Sequence, residues 1–329
     1  MILRKLRWWT EFGLYRIFEL VLARVPLAKA YRFGSTLGGL AYHVLPGRRA
    51  TVRRNLRIAY ANELSLREIG HLTHQVFAKT GANLVAAIRT AQIDREGLET
   101  CLRVPNRDLL EREIRKDKGV ILLIPHMGNW ELLAQLPFLL PDGVPGATHY
   151  RPLNNPCLDK LISRRRSRQG TRLFSKRGSP HAMTAFLRDG GLLGILSDQR
   201  TGRPGHFCPF FGRFTSCTPL PEVLAKRSGA SLLAISLRAL QPGRWEASFH
   251  APDDRDSPSA ARATERAMRV SPSDAFWFSD RFRLIPEAPF AVLAKPHLRA
   301  DAAKSRKPAR LLLWLPNGAF DDWQLPEAA

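Results

Sequence analysis

The chain has 329 residues, with 51 Lys+Arg against 29 Asp+Glu, a net charge of +22, and 44% hydrophobic residues. That length holds one large domain or two small ones. The charge excludes a protein whose partners are neutral metabolites and leaves nucleic acid, an anionic membrane surface or a multiply phosphorylated substrate. The four cysteines, Cys101, Cys157, Cys208 and Cys217, are widely spaced with no C-x2-C pair. That spacing argues against a zinc site or a disulfide framework and for a reducing compartment.

Residues 1 to 100 read as helices. The first 25 open with cations and the pair Trp8-Trp9, then mix Phe12, Leu14, Ile17, Phe18 and Leu20 with Glu11, Arg16 and Glu19. Charges interrupt this run too often for a spanning helix, and no small-residue cleavage site follows a clean apolar core. An amphipathic helix lying in a membrane interface fits better; the alternative is a core helix with a solvated basic face. Phe33 to Gly47 carries no formal charge and could insert shallowly. Arg48, Arg49, Arg53, Arg54 and Arg57 follow at once, which suggests contact with anionic head groups on the cytoplasmic side. Ser65-Leu-Arg-Glu68 is a capping-box pattern that predicts a helix over 66–90.

After a charged helix and turn (104–118), strand and helix alternate. Strands are expected at 120–125, 147–150, 171–174, 194–197, 232–236 and 245–250, and helices at 131–140, 156–168, 180–188, 219–228 and 260–269. The fold class is therefore α/β, a central mixed and mostly parallel sheet flanked by helices, with a helical membrane-associated N-terminal region. The expected divisions are a membrane-associating segment (1–47), an α/β domain (48–298), and a linker with a short tail (299–329).

The chemistry concentrates at Val120-Ile-Leu-Leu-Ile-Pro-His-Met-Gly-Asn-Trp-Glu131, where an apolar strand runs into His126 and a Gly128-Asn129 turn before Glu131 opens a helix. Strand ends of open α/β sheets are where ligands bind. Inside one helix, residues five apart point about 140° away from each other. The pair can therefore meet only with His126 in the loop and Glu131 in the first turn. Glu131 could then accept from one ring nitrogen and leave the other to take a proton from a substrate hydroxyl. The plainer alternative is a strand-end histidine satisfied by a backbone carbonyl, with Glu131 placed by the helix dipole. Arg151 is placed to reach the same cleft or is a surface charge, and Asp198 ends another strand or caps a turn. Phe207, Phe210 and Phe211 form an aromatic cluster of the kind that more often fills a core.

Together, His126-Met-Gly-Asn-Trp-Glu131, Tyr150-Arg-Pro-Leu-Asn-Asn-Pro156, Asp198-Gln199 with Phe210-Phe211-Gly212, and Arg53-Arg-Asn-Leu-Arg57 resemble the lysophospholipid acyltransferase superfamily. Within it they resemble the lipid A (lauroyl/myristoyl) acyltransferases, over roughly residues 5 to 290. The resemblance implies a fatty acyl chain moved from an acyl thioester, on acyl-carrier protein or coenzyme A, to a hydroxyl of an anionic glycolipid, a lipid A precursor, on the cytoplasmic face of the bacterial inner membrane. It makes His126 the general base and Glu131 its orienting partner. Gly128, Asn129, Arg151 and Asp198 become substrate contacts, Arg53 and Arg54 (with Arg164, Arg165 and Arg166) contacts to phosphate or head group, and Phe207, Phe210 and Phe211 candidate walls of an acyl channel. It implies no cofactor, no metal and no nucleic acid. Another membrane glycolipid or a lysophospholipid as acceptor stays open. A non-enzymatic nucleic-acid binder has only the charge behind it, and a metal hydrolase lacks H-E-x-x-H.

The resemblance departs in Pro272-Ser-Asp-Ala-Phe-Trp-Phe-Ser-Asp-Arg-Phe-Arg283, where Ser279-Asp280 replace the usual His-Arg. Arg310-Leu-Leu-Leu-Trp-Leu-Pro-Asn-Gly318 resembles the opening strand and loop of heptosyltransferases. It is too short for such a domain and reads as a loose terminal strand or a fusion remnant.

Overall fold

The computed structural model describes residues 2–283 apart from 117, 142, 169, 177, 202–204 and 253–259, together with 311–314 and 320–323. The chain divides into two compact units, Met1–Arg283 and Leu284–Ala329. In the second, β10 (Leu311–Trp314) pairs antiparallel with β11 (Phe320–Trp323), so the tail forms a paired hairpin rather than a single loose strand. The expected linker at 299–309 and most of the loop at 252–259 lie outside the described residues.

The first unit opens with α1 (Ile2–Ala23), α2 (Leu27–Val44), α3 (Pro46–Tyr60) and α4 (Leu66–Thr90). The capping box closes as expected: Ser65 Oγ accepts from Glu68 N at 3.3 Å while Ser65 N donates to Glu68 Oε2 at 2.8 Å. Helices α2 and α4 cross with almost no space between backbones. A Cβ on Gly38 would land on the Phe77 carbonyl, and one on Gly81 on the Gly34 carbonyl. Gly38→Val is therefore expected to cost about 3 kcal/mol, the upper end for overpacking, seen as a lower urea midpoint at unchanged slope. An unchanged midpoint would mean that the crossing is looser than described.

No helix among the described residues is long and apolar enough to cross a membrane. On α1, Leu3, Leu6, Trp9, Leu14, Ile17, Leu20 and Val21 are exposed, and their spacing puts them on one side of the helix. On α2, Phe33, Leu37, Leu40 and Val44 are exposed as well, while Ala30, Tyr31, Gly34 and Gly38 face inward.

Then follow α5 (Arg95–Cys101), β1 (Leu102–Arg103), α6 (Arg107–Ile114), β2 (Val120–Ile124), a 3-10 helix (Trp130–Leu139), β3 (Gly146–Tyr150), α7 (Pro156–Arg166), β4 (Arg172–Ser175), α8 (Pro180–Arg188) and β5 (Leu192–Leu196). A hairpin, β6 (His206–Phe210) with β7 (Arg213–Cys217), precedes α9 (Leu220–Ser228), β8 (Ser231–Gln241), β9 (Arg244–His250) and α10 (Ala260–Arg269). Seven strands form the main sheet in the order β1-β9-β8-β2-β5-β3-β4. Pairing is parallel except between β8 and β9, so the mostly parallel α/β sheet is as expected.

Strand β2 is apolar throughout because both its faces are covered. Val120, Leu122 and Ile124 pack with the core around Leu56, Val76 and Trp245, and Ile121 and Leu123 with the core around Met183, Leu187, Leu224 and Ala263. The chain leaves β2 toward β3 on one side and leaves β5, beside it, toward β8 on the other. In open α/β sheets ligands bind at such a reversal, which here falls at the C-terminal ends of β2 and β5.

Candidate active site

Ile124 of β2 pairs in register with Leu196 of β5. Two residues past each, at the same sequence separation, stand His126 and Asp198. His126 Nδ1 lies 2.7 Å from Asp198 Oδ1. Nδ1 is thereby the donor, and Nε2 is left with its lone pair, 3.5 Å from the Gln199 amide nitrogen. The Asp198 side chain is 2% exposed and that of His126 18%, so the acid is sealed and the ring is reachable. Trp130 and Phe276 flank the ring, with centroids 5.2 and 6.2 Å away. Burial alone pulls the imidazole pKa down. The charge and hydrogen bond of Asp198, with help from Glu131 and against Arg166, outweigh it and leave the pKa above the ordinary histidine value.

Glu131 stands where the sequence places it, in the first turn after the Gly-Asn bend, but its hydrogen bonds go elsewhere. Arg166 at the end of α7 donates to it twice, Nε to Oε2 at 3.1 Å and Nη2 to Oε1 at 2.6 Å. The expected bond from the His126 ring to Glu131 is replaced by the bond to Asp198, because Asp198 shares the strand-end level of His126 while Glu131 opens toward α7. Burial tends to lower the Arg166 pKa, but the Glu131 carboxylate overrides it and holds the guanidinium charged. The segment starting at Trp130 is a 3-10 helix rather than the α-helix expected at 131–140. Pro137 removes a donor from it, and a 3-10 run of this length is uncommon.

The turn is built tightly. Gly128 has φ +56°, and a Cβ there would meet the Leu237 carbonyl. Its N–H donates to Asp274 O at 2.9 Å and is thus spent on structure rather than free for a substrate oxygen. Asn129 is buried and donates to Thr90 Oγ1 at 3.0 Å, which makes it an anchor to α4. The segment 274–280 straps this turn in place: Phe276 N donates to His126 O at 2.8 Å, and Met127 bridges to Ala275. Asp274, buried, accepts from Lys79 Nζ at 2.7 Å and Ser271 Oγ at 2.6 Å. The unusual Ser279-Asp280 lies at the far end of the strap. Asn55 Nδ2 donates to Trp277 O and Ser279 O at 2.8 and 2.7 Å, and Arg54 pairs with Asp280 at 2.6 Å.

The other expected residues scatter. Arg151 is exposed one residue past β3, separated from β2 by β5, and makes no described hydrogen bond to His126 or Glu131. Arg165 turns away to Glu19 and Tyr15 of α1, and Arg164 is exposed. Phe210 and Phe211 are buried among Tyr60, Trp277, Phe282 and Arg281, which makes them packing residues rather than an open channel wall; Phe207 is half-buried. An apolar cavity does lie near the site, between the sheet and the 3-10 helix, lined by Leu122, Leu133, Gly146, Leu192 and Leu196 with Glu131 and Arg166 at its polar side. It measures about 60 Å³. Arg53 and Arg54 line a separate groove of about 1260 Å³.

A reachable imidazole held by a sealed carboxylate has the geometry of a general acid/base pair, one that could act on a group the substrate brings. The chain belongs to the bacterial lipid A biosynthesis acyltransferase family, whose model matches residues 2–283. It is 24% identical to the lipid A biosynthesis lauroyltransferase of Escherichia coli K12 over 291 residues, 85% of this chain and 93% of that one. It is 23% identical to the lipid A biosynthesis acyltransferase of Haemophilus influenzae over 272 residues, 81% of this chain and 84% of that one. The protein is accordingly an O-acyltransferase.

Proposed function

We propose that the protein transfers a fatty acyl chain from an acyl-carrier-protein thioester to a hydroxyl of a lipid A precursor at the cytoplasmic face of a bacterial inner membrane. The observation that carries the reading is the 2.7 Å contact between His126 Nδ1 and buried Asp198, which leaves the lone pair of Nε2 on a partly exposed ring. Nε2 takes the proton of the acceptor hydroxyl as that oxygen attacks the thioester carbonyl. The C–O bond forms, the C–S bond breaks, and the proton passes from the imidazolium to the departing thiolate. Asp198 stabilises the imidazolium between these steps, and Glu131, held in the Arg166 fork, positions Trp130 against the ring.

The exposed apolar sides of α1 and α2 support residence at the membrane surface, and the excess of arginine and lysine supports an acidic donor protein and an anionic acceptor. The test is purified protein with acyl-carrier-protein thioesters and a phosphorylated lipid A precursor. His126→Ala is expected to lower kcat by about 10²–10⁴-fold, the usual worth of a general base. Transfer that survives this substitution would overturn the reading.

A further inference from the structure

The groove that holds Arg53 and Arg54 is about 1260 Å³ in volume and strongly positive. It is walled by α3, the start of α4, the tip of the β6–β7 hairpin and the end of α10, and Arg49, Arg53, Arg54, Arg57, Arg213 and Arg269 line it. Glu63 is the carboxylate among its described lining residues, and it is already bound to Arg269 at 2.7 Å. Arg54 is tied to Asp280 and Arg49 stacks on Tyr42, whereas Arg53, Arg57 and Arg213 are exposed and form no ion pair among the described residues. The like charges repel at rest, and a compact anion relieves that repulsion through planar guanidinium forks suited to phosphate oxygens.

The hairpin tip is built to hold Arg213 there. Phe211 and Gly212 both adopt positive φ, +50° and +69°, between the paired residues Phe210 and Arg213. This two-residue turn requires left-handed backbone at both positions, where phenylalanine is strained. The strain is held in place: Phe211 N donates to Glu265 Oε2 at 2.6 Å, and the Arg269 guanidinium lies 4.8 Å from the Phe211 ring centre.

Two further observations identify the kind of molecule that carries the anion. Tyr42 and Pro46 line the groove, and between them in sequence Val44 and Leu45 lie exposed at 62% and 45%, continuing the apolar side of α2 to the groove's edge. A ligand charged at one end and greasy at the other matches both surfaces. The strap 274–280 binds Asn55 and Arg54 of α3 at one end and the His126 loop at the other, so one segment ties the arginine helix to the loop of the imidazole.

We propose that this arginine groove is a phosphate subsite for the head group of a phosphorylated lipid, with Arg57 and Arg213 as its free prongs. The assignment rests on the acyl-acceptor reading above, but its binding test is independent of turnover. Calorimetric titration of the full chain with lysophosphatidic acid below its micellar concentration should give saturable binding. Inorganic pyrophosphate should bind at least about tenfold more weakly, and a monoacylglycerol of the same chain length should not bind.

Arg57→Gln combined with Arg213→Gln should weaken the phosphorylated lipid about a hundredfold, roughly tenfold for each charge-assisted hydrogen bond removed. The pair Arg115→Gln and Lys118→Gln, equally exposed and outside the groove, controls for net charge and should leave binding unchanged. Equal weakening in both pairs would reduce the effect to net charge and overturn the subsite. Pyrophosphate as tight as the lipid would overturn the head-group assignment, as would a groove pair that loses only an acidic carrier protein. Groove-dependent lipid binding in a protein that acylates no hydroxyl would support the subsite while the transfer reading fails.

Discussion

Asp198→Asn is expected to lower kcat by about 10²–10⁴-fold and to move the acid limb of the kcat/KM profile to lower pH. In the proposed mechanism His126 serves as a base only when neutral, so activity is expected to rise as pH passes its pKa. Burial pulls that pKa down, and the Asp198 charge and hydrogen bond are the main influences that hold it above the ordinary histidine value. Without the negative charge, burial prevails, the imidazole stays neutral to lower pH, and the limb follows. The rate falls at every pH nonetheless. An asparagine can offer Nδ1 its N–H, which turns the ring to the tautomer with a protonated Nε2, and it cannot balance the imidazolium that forms during transfer. A rate profile on either side of neutrality separates this outcome from simple unfolding, which would lower activity without moving the limb. A variant with the wild-type limb and rate would remove Asp198 from the mechanism.

Glu131→Gln and Arg166→Gln should each reduce kcat by roughly 10–100-fold, and the double variant should lose far less than the product of the two. Each single change leaves one charge of a part-buried pair without its partner; the side chains are 30% and 22% exposed. Coupling between contacting residues of this kind is about 0.5–3 kcal/mol. The proposal makes Glu131 a positioning residue: its fork with Arg166 ties the start of the 3-10 helix to α7, and Trp130 in that first turn packs edge-on against His126. The pH limb should therefore stay near its wild-type place in these variants, unlike in Asp198→Asn. If Glu131→Gln abolishes transfer while Arg166→Gln is silent, the carboxylate touches the reacting groups itself and does more than position Trp130.

Much of the scaffold was legible in the residues. Helix α4 falls where the capping box puts it, α8 and α10 match the expected 180–188 and 260–269, and β2 differs only by Pro125. His126 could be singled out because it ends a fully apolar strand, has a carboxylate five residues on, and sits in a block that resembles a family motif. Its partner could not. Glu131 is near in sequence, whereas Asp198 becomes a neighbour only once β5 is known to lie beside β2 in the register that sets Ile124 against Leu196. Strand order and register come from packing across the whole sheet, which local pattern does not encode. The hairpin at 206–217 was hidden for a different reason: its turn puts Phe211 where sequence rules expect glycine or asparagine. Gly128 was expected to contact substrate, yet its N–H is claimed by Asp274, which is far away in sequence.

Helix α7 presents two successive arginines in opposite directions. Arg166 grips Glu131, while Arg165, with a side chain 9% exposed, reaches Glu19 and Tyr15 of α1; Asn155 at the start of the same helix holds Trp8 O and Glu11. The first helix therefore cannot be treated as a detachable greasy handle. A shortened chain beginning after Ala23 would strand Arg165 without its counter-ion, a fault that costs about 3–5 kcal/mol where such pairs are sealed from water, one residue from the guanidinium that steadies Glu131. Attempts to make the enzyme easier to handle by trimming its leading segment would in this way loosen the helix whose next residue grips Glu131.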